Sequence, residues 1–469
     1  MSRSLNAAVI ALDGNPVGKL EATGRSYRFS YFEEYENSTN AIPISLSYPL
    51  GSTPNEYSFA GELPPFFDHL LPEGWLKEIA ESAHLPMETS IEKLATLCRE
   101  NIGAIEVYGP LEASTIDYAS SIRFIRDVKS EQEEKTALFI QEKNVGDKIS
   151  WTHCVRCHEI LPSKGYNQNF HDACALKFFG IEKTPYLNVS SDTLIDIARK
   201  QLAHRESLTG VQPKFSAIFK HSRGSLVDNS FIVKPEPTFA RVKDGVFYKH
   251  SAVAELAAMH FVELMELNAS ETAMIYLKDN QPTIVSKRFD RSHGKKNHVE
   301  DLAQALAIRD KYKGSHEKIA GILKKNPEKK EREKDLKRFL QIALLNFIIG
   351  NCDGHLKNFS IIHYFSEGHR FNLSPFYDIL PIRMFASKDP NQLGLTIEGK
   401  CNNLAREHFE RLAIKCGLKI TLVNEYIDEI ESNLDCFYEP FNLFGVPEEF
   451  VSKLINYCND QLLLLRKAT

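Results

Sequence analysis

Asn351-Cys352-Asp353-Gly354-His355-Leu356-Lys357-Asn358 is the stretch on which the reading of this chain turns. It follows the apolar run Phe339 to Gly350 and ends against the strand-like Phe359 to Ile362, so it reads as a polar loop between two buried elements. Phosphoryl transfer asks for two things that such a loop can supply. One is a carboxylate to accept or orient the proton of an attacking hydroxyl; the other is a set of hard oxygen donors to hold Mg²⁺ against phosphates. Asp353 is the candidate base and Asn358 the candidate magnesium ligand.

Working outward, Asn358 follows Asp353 at the spacing of the protein-kinase catalytic loop, although His355 comes after the aspartate rather than before it. Downstream, Leu373-Ser374-Pro375-Phe376-Tyr377-Asp378 sets a second carboxylate just past another strand-like run, where a metal-binding Asp belongs. Upstream, Phe231-Ile232-Val233-Lys234 is an apolar strand ending in a single lysine, placed to reach nucleotide phosphates. Each residue also has a structural alternative. Asp353 and Asn358 can cap helices or shape turns, Asp378 can be an N-cap, and Lys234 an exposed strand end. Their order along the chain, from a sheet-rich to a helix-rich part, favours the chemical reading.

The whole chain has 469 residues, 43% of them hydrophobic and 25% charged, which suits a globular protein of two or three units. Fifty-seven Lys and Arg against 62 Asp and Glu leave a net charge of -5, so no overall positive field draws it to nucleic acid, and direct nucleic-acid binding is not expected. The longest apolar stretches fall short of the ~20 residues that cross a bilayer, and Met1 to Ile10 holds no secretory core. A cytoplasmic protein without membrane contact is expected. The order of elements is hairpin-like strands around Asp13-Gly14-Asn15-Pro16, a helix over Trp75 to Ser82 and a polar connector with a helix from Leu111 to about Trp151. Short strands at Phe215–219, 231–233, 274–277 and 283–286 follow, with a helix over Ala252 to Leu267 and a mainly helical remainder. Lys324 to Arg338 reads as a solvated helix face with i,i+4 pairs.

These strings together resemble the HipA-like serine/threonine kinase toxins, relatives of the protein-kinase fold. Pro64-Pro65-Phe66-Phe67-Asp68-His69-Leu70-Leu71-Pro72-Glu73-Gly74 is similar to that family's accessory-subdomain signature, and Asn101-Ile102-Gly103-Ala104-Ile105-Glu106-Val107 to its closing strand. Ser207-Leu208-Thr209-Gly210-Val211-Gln212-Pro213-Lys214 is similar to its phosphate-covering loop, Lys287-Arg288-Phe289-Asp290-Arg291 to its interlobe hinge, Glu300 to Leu306 to the helix after it, and Asn351 to Asn358 to its catalytic loop.

The resemblance implies an α+β architecture with a two-lobed protein-kinase-like fold, a small sheet-rich lobe and a larger all-helical one, behind an N-terminal α+β accessory subdomain. The expected units are residues 1–110 (accessory), 111–150 (linker), 151–180 (Cys/His element), 181–290 (kinase N-lobe) and 291–469 (C-lobe). It also implies roles: Asp353 as catalytic base, Asn358 and Asp378 on magnesium, Lys234 on ATP phosphates, Gly210 and Val211 in the phosphate loop, and the backbone near Lys287 and Phe289 at the adenine. Lys287 departs from the Glu that relatives often carry, which puts any side-chain role there in doubt. Ser207 takes the place of the family's autophosphorylation site, with Thr209 as a second hydroxyl. A dianionic phosphate beside an acidic nucleotide site would push the loop out. The implied activity is ATP-dependent phosphorylation of a cellular protein, with translation factors as the family's suggestion, and the implied partner is a HipB-like DNA-binding antitoxin. A small-molecule phosphotransferase and an inactive kinase-like scaffold are the alternatives.

Nine cysteines, mostly single and scattered, agree with a reducing compartment. The exception is Cys154-Val155-Arg156-Cys157, followed by His171-Asp172-Ala173-Cys174. Two turn-borne thiolates plus a His and a Cys at i and i+3 match a tetrahedral Cys₃His zinc site, with His153 and His158 as competing ligands. Four protein ligands leave no open position, so the role expected is structural, a clasp between accessory unit and core.

Overall fold

Asp13 and Gly14 both hold positive φ, 47° and 83°, and close a two-residue turn between the paired Leu12 and Asn15. Such a turn matches the right-handed twist of a hairpin. Strands β1 (Ala7–Leu12) and β2 (Asn15–Thr23) therefore pair antiparallel directly from it. β3 (Ser26–Tyr31) and β4 (Asn55–Tyr57) extend the sheet on one side and β5 (Ile105–Leu111) on the other, in the order β4-β3-β2-β1-β5. Every residue of β1 is buried, so its apolar side chains are covered on both faces. Four helices lie in the connection between β3 and β5: α1 (Glu33–Glu36), α2 (Pro65–Asp68), α3 (Gly74–Ser82) and α4 (Ser90–Leu97), the last opened by a Thr89/Glu92 capping box. The computed structural model describes residues 5–24, 26–51, 55–57, 62–82, 87–130, 138–142, 153–161, 170–180, 185–187, 189–190, 193–203, 214–220, 226–236, 249–292, 294–364, 369–386 and 390–467.

Helix α5 (Tyr118–Ser130) and strand β6 (Leu138–Glu142) occupy the stretch expected to be a connector. β6 forms because it finds a parallel partner in β8 of a second sheet. That sheet runs β10-β11-β9-β8-β6-β7. Its elements follow in the chain as α6 (Asp172–Phe179), β7 (Pro185–Leu187), α7 (Leu194–Ala203), β8 (Phe215–Lys220), β9 (Leu226–Pro235), α8 (Ser251–Leu264), β10 (Thr272–Tyr276) and β11 (Pro282–Lys287). α8 is apolar nearly all round and is buried accordingly, between β10 and β11 on one flank and a later helix on the other.

The remaining elements are β12 (Arg291–Ser292), β13 (Lys295–Lys296), β14 (Val299–Asp301), α9 (Leu302–Ala305), α10 (His316–Leu323), α11 (Lys329–Ile349), β15 (Ser360–Tyr364), β16 (Arg370–Leu373), α12 (Arg406–Cys416), α13 (Thr421–Leu443) and α14 (Glu448–Arg466). Residues 339–349 of α11 are buried on every side, against α10, α12, α13 and α14. This part is helix-rich but not all-helical, because β14, β15 and β16 form a three-stranded sheet. β15 and β16 carry the extended segments that flank the polar loop and fix its exit. Its entry is fixed by Gly350, which ends α11 at φ 80° with its N–H on the Asn346 carbonyl.

The first sheet and the hinge interlock. Arg288 and Arg291 donate to the Asn101 carbonyl at 3.0 and 2.9 Å, Arg291 also to the Gly103 carbonyl at 3.0 Å, and Asp290 accepts the Gly103 N–H at 2.7 Å. Two strings that lie 187 residues apart thus share one buried charge network. Among the described residues, no helix is long and apolar enough to cross a membrane.

Candidate active site

Lys234, at the end of β9, is buried with its ammonium 2.6 Å from Glu255 Oε1 and 2.5 Å from Asp378 Oδ1. α8 supplies Glu255, a buried carboxylate in the apolar first half of the helix. Burial alone would discharge the lysine, but Asp378 and then Glu255 outweigh it and hold the ammonium charged. The same ammonium, with Lys214 behind it, keeps Asp378 well below the usual carboxylate range despite burial. Asp378 itself holds a left-handed backbone at φ 60°, a conformation that costs free energy for a non-glycine residue and recurs at functional sites.

Asn358 closes the single 3-10 turn Leu356–Asn358 and reaches Asp378, its amide donating to Oδ2 at 3.3 Å. Its oxygen accepts the His355 N–H at 3.2 Å, which fixes the loop's curvature. Tyr377 pins the same turn from below, donating to the Lys357 carbonyl at 2.7 Å. Asp353 accepts a hydrogen bond from the Tyr312 hydroxyl. Burial raises the Asp353 carboxyl, the Tyr312 donor opposes that, and the charge of Asp378 adds to it. His355, beside it, is pushed down to about 3, first by burial and then by Lys311, so its ring is neutral.

Lys234, Tyr312, Asp353, His355, Asn358, Tyr377 and Asp378 line one cavity of about 370 Å³, together with Lys214, Lys287 and Phe289, and Glu255 braces Lys234 from behind its wall. The four residues Lys234, Asp353, Asn358 and Asp378 thus come together from β9, the polar loop and the segment after β16. Asp378 and Asn358 adjoin in the cavity wall, with the Asn358 nitrogen toward Asp378 and its oxygen on the His355 N–H; a carboxylate and an amide oxygen are the donor types that suit magnesium. At the hinge, the Lys287 ammonium turns to Glu271, at 2.8 Å, and over the Phe178 ring, while its carbonyl accepts the Ser270 hydroxyl at 3.0 Å. Phe289 packs on Tyr377 with ring centroids 5.6 Å apart. Ser207, Thr209, Gly210 and Val211 lie outside the described residues.

Several residues in or beside the cavity carry no signal of their own in the sequence. Glu255 is one, being one of three glutamates between Ala252 and Leu267 with nothing local to set it apart. Tyr312 and Lys311 sit in a loop without a motif. Glu73 comes from the first unit, where it was one letter of a longer string. Its carboxylate meets Lys357 Nζ at 2.5 Å and Lys311 Nζ at 3.2 Å, and these two ammonium groups overcome burial and bring it down to about 2.

A second cluster lies apart from this cavity. One ligand atom each from Cys154, Cys157, His171 and Cys174 lies within 4.8 Å of the others. Thiolates bound 2.3 Å from one tetrahedral centre stand about 3.8 Å apart, so the set fits a zinc ion. The Arg156 N–H points at Cys154 Sγ at 3.4 Å. His171 has Nδ1 toward Cys157 and Nε2 on the Ile160 carbonyl at 3.0 Å, the outer contact that orients a metal-ligating imidazole. The competing candidate His158 points elsewhere, to His260 at 3.0 Å.

Comparison with known proteins agrees with this geometry. The HipA N-terminal domain model matches residues 8–108 and the HipA-like C-terminal domain model residues 206–435. A protein of Sinorhizobium fredii named "Putative kinase Y4dM" is 24% identical over 436 residues, 88% of this chain and 87% of its own length. The serine/threonine-protein kinase toxin HipA of Shewanella oneidensis is 25% identical over 244 residues, 46% of this chain and 52% of its own. A chain in the solved complex of Shewanella oneidensis HipA, HipB and operator DNA superposes with a TM-score of 0.60 at 17% identity, over 97% of this chain and 96% of that one. With both family domains in order along the sequence and the fold shared over nearly its whole length, this chain belongs to the HipA-like family.

Proposed function

We propose that the protein is an ATP- and magnesium-dependent serine/threonine protein kinase that acts as a HipA-like toxin on a cellular protein. The observation that carries the reading is the convergence of Lys234, Asp353, Asn358 and Asp378 on one cavity, with Lys234 braced by Glu255. Phosphoryl transfer requires mainly positioning and charge stabilisation. In this reading Lys234 exchanges its Asp378 partner for nucleotide phosphates, and Asp378 and Asn358 hold magnesium, which neutralises charge on those phosphates. Asp353 takes the proton of the attacking hydroxyl, and the Tyr312 hydroxyl occupies the place such a donor would take. Phe289 and Tyr377 give the purine an aromatic wall.

Ser207, with Thr209 as second acceptor, is proposed as the autophosphorylation site, and a HipB-like DNA-binding antitoxin as the partner, since the structural neighbour is the HipA, HipB and DNA complex. A structural zinc is proposed at Cys154, Cys157, His171 and Cys174. The test is incubation of labelled ATP with cell extract beside an Asp353→Gln control. Labelled protein that disappears in the control supports the reading; a labelled metabolite or no label overturns it.

A further inference from the structure

Around the cysteine cluster, side chains outside the four candidate ligands reach both elements that carry the Lys234–Glu255 pair, α8 and β9. Arg156, between Cys154 and Cys157, forks onto both carboxylate oxygens of Glu263 at 2.7 Å, and Glu263 lies on α8 with Glu255. His158 meets His260 of the same helix at 3.0 Å, and His260 is held in turn on the Thr272 carbonyl of β10 at 3.0 Å. From the other ligand pair, α6 runs from His171 at its N-cap through Cys174 to Phe178 and Phe179. Those rings pack 5.8 and 5.7 Å from Phe231 of β9, the strand that ends in Lys234. These contacts run to the sheet-rich lobe, and one from His158 to Glu439 of α13 at 3.7 Å.

We infer that the metal-bound knuckle is a positioning clamp: one ion ties the Arg156 loop to the first turn of α6, and so sets α8 against β9 at the distance the Lys234–Glu255 pair needs. The consequence for activity rests on the kinase reading, because that pair must be closed for nucleotide phosphates to be held. The mechanical claim does not. A tetrahedral Cys₃His centre is rigid, whereas the same loop and helix without it share only short side-chain contacts. Arg156 is not a ligand, so it transmits the clamp without making the metal site.

The experiment compares purified wild-type protein, chelator-stripped protein with and without added zinc, and Arg156→Ala. Metal content is read by mass spectrometry, amide hydrogen exchange over residues 251–264 reports α8, and a fluorescent ATP analogue reports the phosphate site. Wild type carries stoichiometric zinc. Arg156→Ala keeps it, yet α8 exchanges faster and nucleotide binds about fivefold more weakly, in proportion to one partly exposed forked ion pair. Stripping has the larger effect, and zinc reverses it. Arg156→Lys, with a compact point charge in place of a planar fork, falls between. Metal-free protein as purified overturns the inference, as does unchanged α8 exchange in Arg156→Ala. Should stripping unfold the chain, the Arg156 variants still decide. Loss of phosphoryl transfer from wild type would fell the kinase reading alone, since α8 exchange is measured without it.

Discussion

Glu73 of the first unit and Lys357 of the polar loop, 284 residues apart in sequence, form an ion pair at the wall of the cavity. Lys311 completes it from the other side. A carboxylate from the first unit thus neutralises two ammonium groups in the cavity that Asp353 also lines. Glu73→Gln leaves a buried lysine short of its counter-charge, and the expected cost is about 1–2 kcal/mol in urea unfolding, discounted for partial exposure. Because the folded value, about 2, lies below the ordinary 4.5, this stabilisation is complete above pH 4.5 and fades as pH falls toward 2. The wild-type and variant curves should run parallel from pH 7 to 5 and converge below 4.5; a gap that widens on acidification would refute the assignment.

Asp353 must be ionised to accept a proton, and burial raises its carboxyl above the ordinary 3.8. The acid limb of the turnover profile is therefore expected above that of an exposed aspartate. Tyr312→Phe removes the donor that lowers Asp353, so the limb should move to higher pH. Asp353→Gln should reduce turnover by at least about 10²-fold at every pH. A limb that stays put or moves down in Tyr312→Phe contradicts the geometry.

Glu255 touches no reacting atom in the proposed scheme and acts through Lys234. Glu255→Gln should lower kcat/KM for ATP by about 10-fold or more with a cooperative unfolding transition retained. Asp378→Asn should abolish the dependence on magnesium along with turnover. Equal nucleotide affinity in wild type and Glu255→Gln, by calorimetry, would remove Glu255 from the phosphate site.

Gly103 holds φ 80°, and a Cβ there would stand 2.6 Å from the Val299 carbonyl oxygen. Backbone cannot yield as a side chain can. Gly103→Ala should cost about 2–4 kcal/mol, combining the left-handed strain with the clash. Thermal unfolding unchanged within a degree would show that the contact between the first sheet and β14 is slack.

Much of the site was legible because it lies in local strings. Asp353 and Asn358 belong to one loop, and Lys234 and Asp378 each end a strand-like run, so spacing and periodicity carry them. The cysteine quartet is readable for the same reason. Glu73, Lys311, Tyr312 and Glu255 were not, because their roles exist only across chain separations that no window spans. β6 escaped notice since its partner, β8, pairs in parallel and gives no hairpin signal. Of the sheet β14-β15-β16, the extended stretches of β15 and β16 were legible, whereas β14, three residues long and about 60 residues upstream, left no periodic trace.

The interlock of Asn101 and Gly103 with Arg288, Asp290 and Arg291 makes the N-terminal sheet a splint on the segment that follows β11. Bending at residues 288–291 would have to carry the stretch that leads into β5, and through it a five-stranded slab, so the two would shift as one piece.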